Sequence, residues 1–203
     1  VAQRAAVRHF DDFRTGLGAW QGVEGWSRTW SYSVSTLLEP GLPAVYVPTL
    51  KMRDYSMEFL GQIERRSLSW AVRAQDPSNF YALRIVVTRG GAAPTGVLQR
   101  YPVVAGRQGA VQTMPLPPNV SLEPGRPLRI RTDVAGTRFT VRLQGQVVDT
   151  FTLGSHPRGG IGFFCPKGDR ALLRWVEVMH QHDFLGRICA LFAPGGQPAG
   201  EGR

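Results

Sequence analysis

No stretch of this chain stays apolar for the roughly 18 residues that a bilayer-spanning helix needs, so the sequence encodes no such span. Cysteine is nearly absent. Cys165 and Cys189 are the only two, too few for a disulfide framework or a zinc ribbon. They stand either as one bridge fastening the C-terminal segment to a strand or as two buried thiols packing as small hydrophobes. Lysine is scarce as well, arginine supplying 22 of the 24 basic residues behind a formal charge of +9. That charge suits nucleic acid, an anionic membrane surface or an acidic partner. The arginines run from Arg4 to Arg203 with only Arg65 and Arg66 adjacent, and no recognition motif accompanies them, so nucleic acid is not an expected partner. The chain opens on Val1 with no visible signal peptide, and we expect it to be processed or trimmed.

What is present is period-two alternation punctuated by glycine. In residues 126–153, Leu128, Ile130 and Val134 alternate with Arg129, Arg131 and Asp133. Phe139, Val141 and Leu143 then alternate with Arg138, Thr140 and Arg142, and Gly136 and Gly145 fall where the turns must go. With 147–153 this predicts three consecutive antiparallel strands in a meander, each with one apolar and one wet face. The same pattern predicts a strand over 55–64, with Tyr55, Met57, Phe59 and Ile63 inward and Ser56, Glu58, Leu60, Gln62 and Glu64 outward. Leu68, Trp70 and Val72 repeat it opposite Ser69 and Arg73. A near-continuous apolar strand over 80–88 is broken only by Arg84, and strands are expected at 97–104, 161–165 and 171–179. Prolines confine 44–47 to a short edge strand. Trp30, Tyr32 and Val34 are expected on one strand face, where core packing is favoured over sugar stacking. The fold class is therefore all-β, a two-sheet antiparallel sandwich. Residues 1–9 are a lead-in, 10–180 the sandwich, and 181–203 a tail.

The tail differs in kind. Phe184, Leu185, Ile188, Cys189, Leu191 and Phe192 recur at helical spacing between a capping Asp183 and the stop at Pro194-Gly195. This predicts a short amphipathic helix that either covers the sandwich or docks to a partner or membrane surface, using Phe184, Leu185, Ile188, Leu191 and Phe192.

The segments FDDFRTGLGAW, YSMEFLGQIE, NFYALRI, LRIRTDVAGTRFTVRLQGQVVDTF and GGIGFFCPKGDRALLRWVEV resemble the concanavalin A-like jelly rolls. Within that group the chain is most similar to the 3-keto-disaccharide hydrolase and laminin-G-like branches. Gly145 sits in the expected hairpin, and Gly160, Ile161, Gly162 and Phe163 supply the G-x-I-G-F-like element with one residue fewer before the isoleucine. The resemblance implies a jelly roll, an architecture that hosts enzymes, lectins and adhesive domains alike.

Glycosidases of this architecture carry carboxylates at alternate positions of one strand, which makes Glu58 the candidate acid. Its nearest strand-mate of the same type, Glu64, lies six residues on, roughly 20 Å away at about 3.3 Å per residue. Two-carboxylate hydrolysis works at about 5 to 9.5 Å. The positions between are Leu60 and Gln62, so this strand lacks an acid pair, and only an acid from another strand could meet Glu58. His180, His182 and Asp183 are too sparse a ligand set to imply a metal, His156 lacks a nucleophile motif, and no cofactor is implied. The remaining polar side chains, Glu58, Gln62, Arg73 and Arg84, are expected on neighbouring strands, where they either grip sugar hydroxyls or an acidic partner or simply form a solvated sheet face. The leading expectation is a non-catalytic interaction domain outside the cytoplasm, periplasmic or at the cell surface, serving a membrane or envelope assembly. The alternatives are a carbohydrate-binding module and a glycoside hydrolase or lyase of the keto-disaccharide type.

Overall fold

The computed structural model describes residues 7–91, 94–154 and 157–180. Two eight-stranded antiparallel sheets face each other. Sheet A is built from β1 (Val7–Asp11), β3 (Ser31–Tyr32), β4 (Leu38–Glu39), β6 (Tyr55–Arg65), β12 (Pro127–Ala135), β13 (Arg138–Leu143), β14 (Gln146–Thr152) and β16 (Arg170–His180). Its order is β14-β13-β12-β6-β16-β4-β3, with β1 also paired to β16. Sheet B contains β2 (Trp20–Gly22), β5 (Ala44–Tyr46), β7 (Ser67–Asp76), β8 (Asn79–Arg89), β9 (Thr95–Val104), β10 (Arg107–Gln108), β11 (Gln112–Pro115) and β15 (Gly160–Phe164). Its order is β10-β9-β8-β7-β15-β5-β2, with β11 on β9. The β12–β13–β14 meander forms as the alternation predicts.

Alternation decides which side chains meet between the layers. Met57 and Phe59 from β6 and Ile130 and Val141 from the meander oppose Leu68, Trp70 and Val72 of β7 and Leu83 and Ile85 of β8, all fully buried. Phe59 meets Phe163 edge-on at 4.9 Å and Trp70 at 5.5 Å. Full burial of a phenylalanine such as Phe59 or Phe163 stabilises by roughly 1.5–3 kcal/mol. Trp70 Nε1 donates to Thr132 Oγ1 at 3.1 Å, linking the two sheets through a satisfied polar contact. A buried ion pair also links β9 to β14, Arg100 Nε lying 3.0 Å from Asp149 Oδ2 without hydrogen-bond alignment and its guanidinium over the Phe151 ring.

The glycine-rich β15 owes its composition to close approach. A Cβ on Gly160 would meet Thr49 Oγ1 at 2.3 Å and the Thr49 carbonyl carbon at 2.8 Å, and one on Gly162 would meet the Ala44 carbonyl oxygen at 2.5 Å. Only glycine lets β5 and the turn after it lie this close.

Three expectations change. The strand at Ala44–Tyr46 is not an edge, because β2 pairs outside it and all three of its residues are buried. Trp30, Tyr32 and Val34 do not share a strand face: β3 is only Ser31–Tyr32, Trp30 is in the core, and Val34 is fully exposed. Arg73 is not on a solvated face. Its backbone is left-handed, at φ 52°, and its side chain is buried, donating to the carbonyls of Arg53, Gly136 and Pro157. Val7–His9, expected as a lead-in, belong to β1, while His156, His182 and the predicted tail helix lie outside the described residues.

Candidate functional site

The side chains that sheet A turns away from the core form one continuous polar face. Because the strands are antiparallel and in register, residues of this phase line up across the sheet. Phe10 stands opposite Glu177, Glu177 opposite Glu58, Glu58 opposite Arg131, and Arg131 opposite Arg142. The next row sets Trp175 beside Leu60 and Leu60 beside Arg129. Phe10 and Trp175 stack at 6.3 Å and 29°, and the Arg129 guanidinium lies 5.7 Å from the Trp175 ring.

The charges on this face are matched locally. Arg129 Nη1 approaches Glu58 Oε1 at 3.2 Å, and Arg8 Nη2 donates to Glu177 Oε2 at 2.7 Å. The Glu177 carboxylate holds the Arg8 guanidinium above its ordinary value, chiefly through that hydrogen bond. Asp133 accepts from both Arg131, at 2.8 Å, and Arg142. Guanidinium and carboxylate groups pinned flat in this way present fixed N–H and oxygen edges to a ligand.

Where the chain leaves β1 after Asp11, paired with Val176, and where Arg174 precedes Trp175, a recess of about 270 Å³ is lined by Asp12, Arg14, Ser35, Thr36, Leu37 and Arg174. A smaller one, of about 140 Å³, sits at the far end between Ile63, Val87, Leu122 and the Gly90-Gly91 turn.

The sequence-derived candidates separate. Glu58 and Gln62 are on β6 in sheet A, and Gln62 Nε2 donates to Glu64 at 2.8 Å. Arg84 is on the outer side of sheet B, where it binds Asp169 and, at 2.9 Å, Ser67 Oγ. Arg73 is interior. The chain crosses from one sheet to the other between β6 and β7, so these two strands, consecutive in sequence, do not pair. The acid opposite Glu58 comes instead from β16, more than a hundred residues away. Its outward phase, Trp175 and Glu177 against Val176 and Val178, was visible in the alternation, but its pairing partner was not. Cys165 is half-buried and has no disulfide partner among the described residues, Cys189 lying outside them, and desolvation is the chief cause that raises its thiol pKa to about 11.

No family model matches the chain, and no curated protein is similar to it. Solved structures do match. A Bacillus licheniformis β-glucanase is 11% identical, with 89% of this chain and 100% of that one aligned at a TM-score of 0.56. The carbohydrate-binding module CBM66 from Bacillus subtilis is 13% identical over 81% of this chain and 94% of that one, at 0.53. The fold is a concanavalin A-like jelly roll. A third jelly roll of this kind, the Crh5 transglycosylase in complex with NAG, is 13% identical over 86% of this chain and 84% of its own, at 0.54.

Proposed function

We propose that this jelly roll is a carbohydrate-binding domain that uses the outer face of sheet A and performs no hydrolysis. The observation that carries the reading is the stacked pair Phe10 and Trp175 beside the row Glu177–Glu58–Arg131. An aromatic platform takes the apolar face of a sugar ring, and planar amide, carboxylate and guanidinium edges take its hydroxyls. Neighbours of the same fold that are themselves carbohydrate-binding or carbohydrate-processing support it. The two acids argue for binding over turnover, because each is engaged by an arginine on an open sheet face. Calorimetric titration with a panel of soluble polysaccharides tests the reading. Binding by the wild type and a roughly tenfold loss in Trp175→Ala are expected, that being the scale of one aromatic contact. No heat with any glycan overturns it.

Within the same reading we place the domain outside the cytoplasm, tethered to a protein or membrane assembly by the apolar tail residues Phe184, Leu185, Ile188, Leu191 and Phe192. The basis for this is their spacing in sequence. Crosslinking of the full chain that captures no partner, and no loss of membrane association on deleting 184–192, would remove it.

A further inference from the structure

One lining residue of the recess of about 270 Å³, the neighbour of Trp175 in sequence, is supplied by a fault in β16. Its register to β6 shifts between Leu173 and Trp175, so Arg174 is an extra residue. Strict alternation from the buried Leu173 would send Arg174 outward and Trp175 into the core. The bulge instead leaves both on the outer side, the kind of re-aiming for which bulges recur beside binding sites. Arg174 therefore lines the recess with Arg14, Asp12 and Thr36.

The cations of this recess differ from the others on the face. Arg8, Arg129, Arg131 and Arg142 each hold a carboxylate within 3.2 Å. Arg174 has no ion pair or hydrogen bond among the described residues, and Arg14 Nε stands 3.8 Å from Asp12 Oδ2. That aspartate is already committed through Oδ1, which accepts the Arg14 backbone N–H at 3.1 Å. Two guanidinium groups thus face one carboxylate across a volume of about 270 Å³. That lies just under the approximately 300 Å³ at which drug-sized sites begin, so it is space for a single ring substituent or sugar. Guanidinium forks favour planar or tetrahedral oxyanions over neutral hydroxyls.

We propose that this recess takes an oxyanion carried by the glycan, a uronate carboxylate or a sulfate, so that the ligand class is an acidic polysaccharide whose ring rests on Trp175 and Phe10. This rests on the carbohydrate-binding reading above. The test is calorimetry of the full chain against polygalacturonate, dextran sulfate and neutral dextran, with Arg174→Gln and, as a control for bulk charge, Arg170→Gln. Arg170 is exposed but committed to Glu39 at 3.1 Å. The wild type is expected to bind one of the acidic polymers at least about tenfold more tightly than dextran, and Arg174→Gln to remove about that factor with an unchanged melting midpoint. Which acidic polymer binds names the oxyanion. Equal losses in the two arginine variants, or dextran bound as tightly as the acidic polymers, overturn the proposal while leaving the carbohydrate-binding reading standing. Absence of binding to every glycan removes both.

Discussion

Glu58 on β6 and Glu177 on β16 are direct cross-strand partners, yet each turns to an arginine, Arg129 at 3.2 Å and Arg8 at 2.7 Å. Directly opposed like charges are unfavourable in a sheet, and the arginines offset that. Both pairs are solvent-accessible, so water screens them and little stability rests on either. Glu177→Gln is therefore expected to leave stability within about 0.5 kcal/mol of wild type in urea titration, since the lost ion pair and the relieved repulsion nearly cancel. Cross-strand pairing nevertheless puts a second acid beside Glu58, the residue type that two-carboxylate hydrolysis would need. Release of reducing sugar by the wild type, abolished in Glu58→Gln, would overturn the non-hydrolytic reading.

Arg73 is an interior clamp rather than a ligand. Its guanidinium donates to carbonyls of three separate loops and lies over the Phe139 ring. Burial lowers its pKa, with the Tyr55 hydroxyl and Asp54 opposing the shift. Arg73→Ala would strand those carbonyls and open a cavity, with an expected loss of about 3 kcal/mol or more in denaturant titration. Arg84→Ala should also destabilise measurably, because it leaves the Asp169 carboxylate, only 2% exposed, with the Arg66 guanidinium at 3.6 Å as its other cation.

Tyr55 makes alkaline stability testable. Its buried hydroxyl accepts the Arg73 backbone N–H at 3.0 Å and donates to the Gly160 carbonyl at 3.2 Å. Desolvation pushes it up to about 12. A folded value above the unfolded one near 10 contributes stability that is complete below pH 10 and lost as pH rises toward 12. Denaturant midpoints should fall across that window. Tyr55→Phe should lose about 1–2 kcal/mol at pH 7 and show a shallower alkaline decline. Some decline persists in that variant, because Tyr32, Tyr46, Tyr81 and Tyr101 are raised by burial in the same direction.

Cys165 is held as a thiol well above neutral pH, desolvation acting first and Asp169 second. Only the thiolate alkylates readily. Iodoacetamide at pH 8 should modify the Cys165 peptide slowly in the native protein and rapidly in denaturant, as followed by peptide mass spectrometry. Equal rates in the two states would show that the side chain is neither buried nor shifted.

The alternation alone determined the long strands between Tyr55 and His180 but not the short β10 and β11, along with the meander and the inward set Met57, Phe59, Leu68, Trp70 and Val141, because a half-buried strand must repeat every second residue. Residue type also favoured core packing for Trp30, which is buried, but the same expectation fails for Tyr32 and Val34, which are exposed. What alternation does not carry is the partner of each strand or the layer it joins. Only the tertiary structure put β6 and β7 in different sheets, which separated Glu58 from Arg84, and brought Glu177 across from Glu58. The left-handed turn at Arg73 and the bulge at Arg174 break the period at single residues. Such breaks are settled by what lies across the sheet and across the sandwich, where a buried guanidinium finds its carbonyls and an extra residue turns Trp175 outward.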